Sequence, residues 1–309
     1  MPAMPEPPGA PGLPPSRYPE PSHTPGTGIE PAGLPPSRYP EPSHTPATGI
    51  EPAGPSPSRY PEPSHTPATG IEPAGLNARP RVIGMIGGMS WESTVVYYRL
   101  ANELVRERLG GLHSARIVLS SVDFAEIEAM QVAGQWDEAA SVLAEAARGL
   151  ERAGADLLVL CTNTMHKVAP EIEAAVTIPF LHLADTTAYA VRSAGVRTVG
   201  LLGTAFTMEQ TFYRNRLASH GLTVMVPSEE DRALVHRVIY EELCLGIVRD
   251  ESRDAYRAII DRLIAAGADG IILGCTEIEL LIGDEDSSVP VFPTTRLHVE
   301  AVVTASLAP

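Results

Sequence analysis

The sequence predicts an α/β fold of two pseudo-symmetric lobes. Each lobe is a mostly parallel sheet flanked by helices, the active site lies in the cleft between them, and a disordered, Pro-rich tail precedes both. Three observations predict this. Apolar runs typical of buried parallel strands alternate with stretches of helical period, the pattern of βαβ units. The pattern is run twice, since Arg197-Thr-Val-Gly-Leu-Leu-Gly-Thr204 resembles Arg81-Val-Ile-Gly-Met-Ile-Gly-Gly88. The composition also changes sharply at Arg79-Pro80. Residues 1–79 are then the tail, 80–185 plus about 286–309 the first lobe, and 186–285 the second.

Within the tail, residues 13–75 are three tandem copies of a 21-residue unit, starting at Leu13, Leu34 and Pro55. Such a period suggests a solenoid, but each copy carries several prolines, one tyrosine and one isoleucine. Proline removes ladder donors, and the apolar surface is too small to offset the entropy of ordering. A disordered, partly polyproline II segment follows. It is either a tolerated duplication or a docking segment for a proline-binding partner.

From residue 81 the elements follow in order. Arg81 to Gly88 reads as a buried strand entering a glycine turn. Ser93 to Arg108 is a helix, with Tyr97, Leu100 and Leu104 at helical spacing and Gly110-Gly111 as its stop. A strand at 116–122, a helix at 136–153 and a strand at 156–161 come next. A short helix after Lys167 leads to a strand at Ile178-Pro-Phe-Leu-His-Leu. The second half gives a strand at 197–204, a helix at about 207–220 and a strand at 222–226. Helices at about 230–246 and 252–266 precede the apolar run that ends at Cys275. Val289-Pro-Val-Phe-Pro parallels the Ile178 strand, and a terminal helix closes the chain.

Laying Gly154-Ala-Asp on Gly267-Ala-Asp pairs Leu160 with Leu273, Cys161 with Gly274 and Thr162 with Cys275. Successive strand side chains point to opposite faces. If Cys275 faces the cleft, its counterpart is therefore Thr162, and Cys161 turns into packing. Cys244, inside a helix, is read as packing or as part of the wall. Cys275 follows an apolar run and precedes a polar Thr-Glu at a strand's carboxyl end, where open α/β sheets place ligands. It is the candidate reactive thiol.

Composition excludes several classes. The net charge of −15 disfavours nucleic acid and anionic membrane surfaces as partners. Three cysteines form no even framework and no Cys-x-x-Cys. That suits the cytoplasm and argues against a disulfide scaffold or a metal site. The start has no basic n-region or apolar h-region, so it does not read as a secretory signal. No apolar run reaches the roughly 18 residues of a membrane span. The glycine turn at Gly87-Gly88 lacks the Gly-x-Gly-x-x-Gly of a dinucleotide site.

Gly87-Gly-Met-Ser-Trp-Glu-Ser-Thr94, Gly110-Gly-Leu-His-Ser114 with Ser121-Val-Asp-Phe124, Cys161-Thr-Asn-Thr-Met-His-Lys167 and Gly274-Cys-Thr-Glu-Ile278 together resemble the aspartate/glutamate racemase family. The likeness covers residues 81–309 and is nearest to its broad aspartate/glutamate racemase branch. It implies racemisation of an acidic amino acid, aspartate or glutamate, without a cofactor, and a homodimer. One residue removes the α-proton and another protonates the opposite face. Most members use a cysteine from each half, whereas Thr162 stands in the first-half position here, as it does in this branch. The resemblance thus implies Cys275 and Thr162 as the catalytic pair, and Met89 and Gln131 as substrate contacts. Asn163, Thr164 and Thr276 follow the catalytic positions, where side chains and backbone N–H groups can hold carboxylates.

The chemistry is asymmetric. A cysteine becomes a thiolate base where its surroundings favour the anion, and a threonine hydroxyl is a poor base near neutral pH. In the family the second-half cysteine works on the L-enantiomer, so L-to-D turnover should dominate. Several aspartate racemases carry a lysine near the Cys244 position and an arginine near Gln131. Neither is here, which weakens strict aspartate specificity. His166 and Lys167 could bias local charge toward the thiolate, and Glu277 could influence its protonation or cap the next helix. Two other readings stand beside the racemase: a cysteine-dependent malonate-type decarboxylase of the same fold, and a non-catalytic amino-acid binder.

Overall fold

The computed structural model describes residues 79–309. The reading of the repeats as a disordered tail lies outside the described residues. Within them, eight strands form two four-stranded parallel sheets. The first contains β1 (Ile83–Gly87), β2 (Ile117–Ser121), β3 (Leu157–Leu160) and β4 (Phe180–Leu181), in the order β2-β1-β3-β4. The second contains β5 (Thr198–Gly203), β6 (Thr223–Met225), β7 (Gly270–Gly274) and β8 (Val291–Pro293), in the equivalent order β6-β5-β7-β8. Register repeats as well, with Gly84 opposite Leu158 and Gly200 opposite Ile271. That is the pairing obtained by overlaying the halves of the sequence.

The strands are apolar on both faces because helices cover both. The helices of the first half are α1 (Trp91–Leu109), α2 (Phe124–Ala133), α3 (Trp136–Arg152) and α4 (Ala169–Ala174), followed by α5 (Leu183–Ser193), which packs against Val199 and Leu201 of the second sheet. Those of the second are α6 (Ala205–Glu209), α7 (Thr211–Ser219), α8 (Glu229–Glu241), α9 (Asp250–Ala265) and α10 (Thr294–Leu307). On α3, Ala140, Leu143, Ala147 and Leu150 repeat at helical spacing and are all buried. Each such leucine contributes about 1.5–3 kcal/mol by leaving water. The glycine in the middle of β1 has a packing reason. A Cβ on Gly84 would lie 2.6 Å from Leu158 Cδ2 and 3.4 Å from Leu150 Cβ. Gly200 in β5 has the same reason, with Leu263 of α9 at 2.9 Å. Helix and sheet approach closely in both lobes, so the glycine recurs.

Chain order and lobe order part company at the end. The sequence placed the return to the first lobe at about residue 286, but Ile271–Leu273 of β7 pair with Val291–Pro293 of β8. That strand completes the second sheet. Only α10 crosses back, where Val299, Val302 and Val303 pack with Ile83, Met85 and Tyr97. Two helices had no expectation, α2 and α5, and the single helix expected at about 207–220 is divided at Gln210 into α6 and α7. No helix among the described residues is long and apolar enough to cross a membrane.

Candidate active site

In both sheets the chain reverses direction of winding between the first and third strands, and a crevice opens at their carboxyl ends. The two crevices face one another. β3 ends at Leu160. Cys161 then turns into the cluster of Ile83, Met85 and Tyr97, and Thr162 lines the cleft. β7 runs one residue further, to Gly274, and Cys275 lines the cleft from the other side. The strand period of two separates the neighbouring residues Cys161 and Thr162 onto different faces, as the overlay required.

The cleft also brings together Met89, Gln131, Asn163, Thr164 and Thr276, so every site residue expected from the sequence lines it. Met89 and Ser90 are carried by the glycine turn after β1. Gly88 there adopts a φ of 96°, and any side chain on it would collide with the Val122 backbone. Gln131 comes from α2, one turn after the buried Ile127. Sequence reasoning did not single out Phe124, Ile239 or Tyr240, which line the same wall. The helix expected to run to about 246 ends at Glu241, and Cys244 lies in the separate turn Leu243–Leu245, so helical spacing did not signal that Tyr240 and Cys244 share the cleft.

Glu277 is the centre of the polar network. Cys275 Sγ donates to its Oε2 at 2.9 Å, Thr276 Oγ1 to the same oxygen at 2.6 Å, and Ser90 Oγ to Oε1 at 2.7 Å. One carboxylate thereby joins the second-lobe thiol to a first-lobe hydroxyl. A second cross-lobe bond links Thr164 and Thr204 hydroxyls at 3.1 Å. Asn163 Nδ2 donates to Thr294 Oγ1, and Gln131 Nε2 to Met165 Sδ. Their carbonyl oxygens, Asn163 Oδ1 and Gln131 Oε1, are buried without a partner. Such groups are rare unless a ligand or water meets them.

The sequence pattern of the Asp/Glu/hydantoin racemase family matches residues 86–302. The chain belongs to this family. The broad-specificity amino-acid racemase RacX of Bacillus subtilis is 25% identical over 175 residues, spanning 56% of this chain and 74% of that protein. A Yersinia pestis protein described as a candidate Asp/Glu racemase superposes with a TM-score of 0.70 at 55% identity. It covers 74% of this chain and 100% of that one. An aspartate racemase homologue from Pyrococcus horikoshii gives 0.67 at 34% identity over the same shares.

Within this racemase fold the electrostatics differ from the sequence expectation in two respects. Burial, and then the charge of Glu277, push the Cys275 thiol well above its ordinary pKa. The thiol is at rest protonated and donating, not a thiolate. His166 does not supply a compensating charge. Its Nε2 accepts the Leu183 N–H at 3.2 Å, so its Nδ1 carries the hydrogen that meets the Thr162 carbonyl at 2.7 Å. Burial holds the ring neutral, well below the usual histidine range. Its effect is to pin the Thr162 backbone. Lys167 sits with Nζ 3.6 Å from the Trp136 ring centroid, outside the cleft lining. Glu277 is not a helix cap, since the turn that begins at Cys275 has no side-chain cap. Among the described residues no group of three His, Cys, Asp or Glu converges as metal ligands.

Proposed function

We propose that the protein racemises amino acids by α-proton transfer without a cofactor, with Cys275 and Thr162 on opposite faces of the α-carbon. The observation that carries this reading is that these two side chains end equivalent strands of two facing sheets and line one cleft. The unpartnered oxygens of Asn163 and Gln131 suit the substrate ammonium, and the Thr164 hydroxyl suits its carboxylate. Arrival of the ammonium adds a positive charge beside the thiol and favours its ionisation. The Cys275 proton passes to Glu277, and the thiolate removes the α-proton from the L-enantiomer. Thr162 then delivers its proton, directly or through a water, to the opposite face. The proton held by Glu277 returns through solvent to the threonine oxygen. A threonine is the weaker base, so kcat from the L-enantiomer exceeds kcat from the D-enantiomer, with KM differing by the same factor because the equilibrium constant between enantiomers is one.

The test is incubation with L- and D-amino acids in heavy water, following the α-proton by NMR and configuration by chiral chromatography. Exchange with inversion is expected, with the larger kcat at saturating substrate from the L side. Equal kcat from both enantiomers at saturating substrate would count against the asymmetric pair, since kcat/KM is equal in the two directions for any racemase. Carbon dioxide release from malonates without amino-acid exchange would instead favour a decarboxylase, and binding without exchange a non-catalytic binder.

A further inference from the structure

Resting on the racemase reading, we infer that the cleft selects amino acids with an uncharged side chain over aspartate and glutamate. The resemblance implies an acidic side chain, and a carboxylate entering a closed cleft needs a cation or several donors to replace its water. Among the described residues no lysine or arginine lines this cleft, and the one charged lining residue is the acidic Glu277. The part of the lining without Ser, Thr or amide side chains is a wall of Met89, Phe124, Ile239, Tyr240 and Cys244. It offers one phenol and one thiol to a side chain, and otherwise apolar surface.

The imidazoles nearby do not supply the missing charge. His236 gives its Nδ1 to the Ala205 N–H, lies against Tyr240, and is held neutral by burial. His166 is neutral on the far side of Thr162. The titrating groups of the wall respond in one direction. Burial and then Glu277 push the Cys244 thiol up to about 12. Tyr240 is raised by burial first, with Cys275, Cys244 and two glutamates adding to it. A fixed cation at the wall would act the other way.

The α-carboxylate does not meet the same objection. It enters with its own ammonium, so the pair is neutral: a threonine hydroxyl can donate to the carboxylate, and the Asn163 and Gln131 oxygens accept from the ammonium. A side-chain carboxylate adds a net negative charge beside Glu277. Glutamine and glutamate, or asparagine and aspartate, have nearly the same shape and differ by that charge.

The experiment measures kcat/KM of the full chain for L-glutamine against L-glutamate and L-asparagine against L-aspartate. Calorimetric binding of the same four compounds to Cys275→Ser accompanies it. The neutral member of each pair is expected to be favoured by at least about 100-fold in turnover and at least about tenfold in binding. Cys244→Lys, which places a cation on the wall, is expected to narrow or invert both ratios. Turnover that favours the acidic member overturns the inference and leaves the racemase reading standing. Absence of turnover with every amino acid overturns the racemase reading, and the binding ratio then decides the charge preference alone. Tighter binding of the acidic member, or binding of none of the four, overturns the inference.

Discussion

Acidification should loosen the platform that holds Thr162. Three buried imidazoles lie behind it: the His166 and His182 ring centroids are 4.6 Å apart, and those of His166 and His298 are 5.8 Å apart. Each is neutral in the fold. His298 donates from Nε2 to the Leu181 carbonyl and accepts the Tyr97 hydroxyl at Nδ1. Burial holds both His182 and His298 at about 4, against 6.5 for an exposed imidazole. The unfolded chain therefore binds more protons below about pH 6.5, and stability falls as pH falls. From about pH 7.5 to about pH 5.5 each of these two histidines removes about 1.3 kcal/mol, or about 2.7 kcal/mol together. Glu279 acts in the opposite sense. Burial raises it from 4.5 to about 7, so its protonation over the same interval returns about 1.8 kcal/mol. His166, lowered by burial, adds to the loss. Urea denaturation at the two pH values should show wild type losing about 1 kcal/mol or more. Glu279→Gln keeps an acceptor for the Thr295 N–H and removes the offset, so its loss should be larger by about 1.8 kcal/mol. Equal stability of Glu279→Gln at both pH values, or a gain on acidification, would refute the assignment of neutral buried imidazoles.

Three further outcomes follow from the cleft. Glu277→Gln removes the charge facing the thiol. The Cys275 pKa should fall, and the kcat/KM profile should move to lower pH; an unmoved profile would mean that Glu277 does not govern the thiol. Thr162→Cys places a thiol at the equivalent strand end, and should raise kcat from the D-enantiomer relative to kcat from the L-enantiomer by about tenfold or more at saturating substrate. Cys161→Ala should leave racemisation within about twofold while lowering unfolding stability by about 1 kcal/mol, since that thiol is buried in the first-lobe core away from the cleft.

The two strand-end positions that line the cleft were legible because they rest on a local rule. A period of two puts Cys161 and Thr162 on opposite faces whatever the rest of the chain does, and the repeated Gly-Ala-Asp sets the register between halves. The crossover strands were legible for a similar reason, as long apolar runs bounded by glycine. α2 was missed because it buries only Ile127 and Gln131, which leaves no apolar stripe. Its signals were Asp123, whose side chain accepts the Ala125 N–H, and Gly134 in the left-handed conformation beyond its end. The state of the Cys275 thiol was not legible. It depends on Ser90 and Glu277 meeting from opposite lobes, and on the lack of a cation in the cleft lining. Both are products of tertiary folding. The same holds for His166, whose motif position suggested a charge and whose two backbone bonds make it a neutral strut.

The measurement that tests the catalytic pair most directly is α-proton exchange of an L-amino-acid substrate in heavy water, run on Cys275→Ala and Thr162→Ala beside the wild type. With Cys275 as the L-side base, Cys275→Ala should lose exchange by at least about 1000-fold. Thr162→Ala should still exchange the α-proton for deuterium but return the L-enantiomer, because only the opposite-face donor is gone. Exchange that survives in Cys275→Ala, or inversion at the wild-type rate in Thr162→Ala, would contradict the assignment of the two faces.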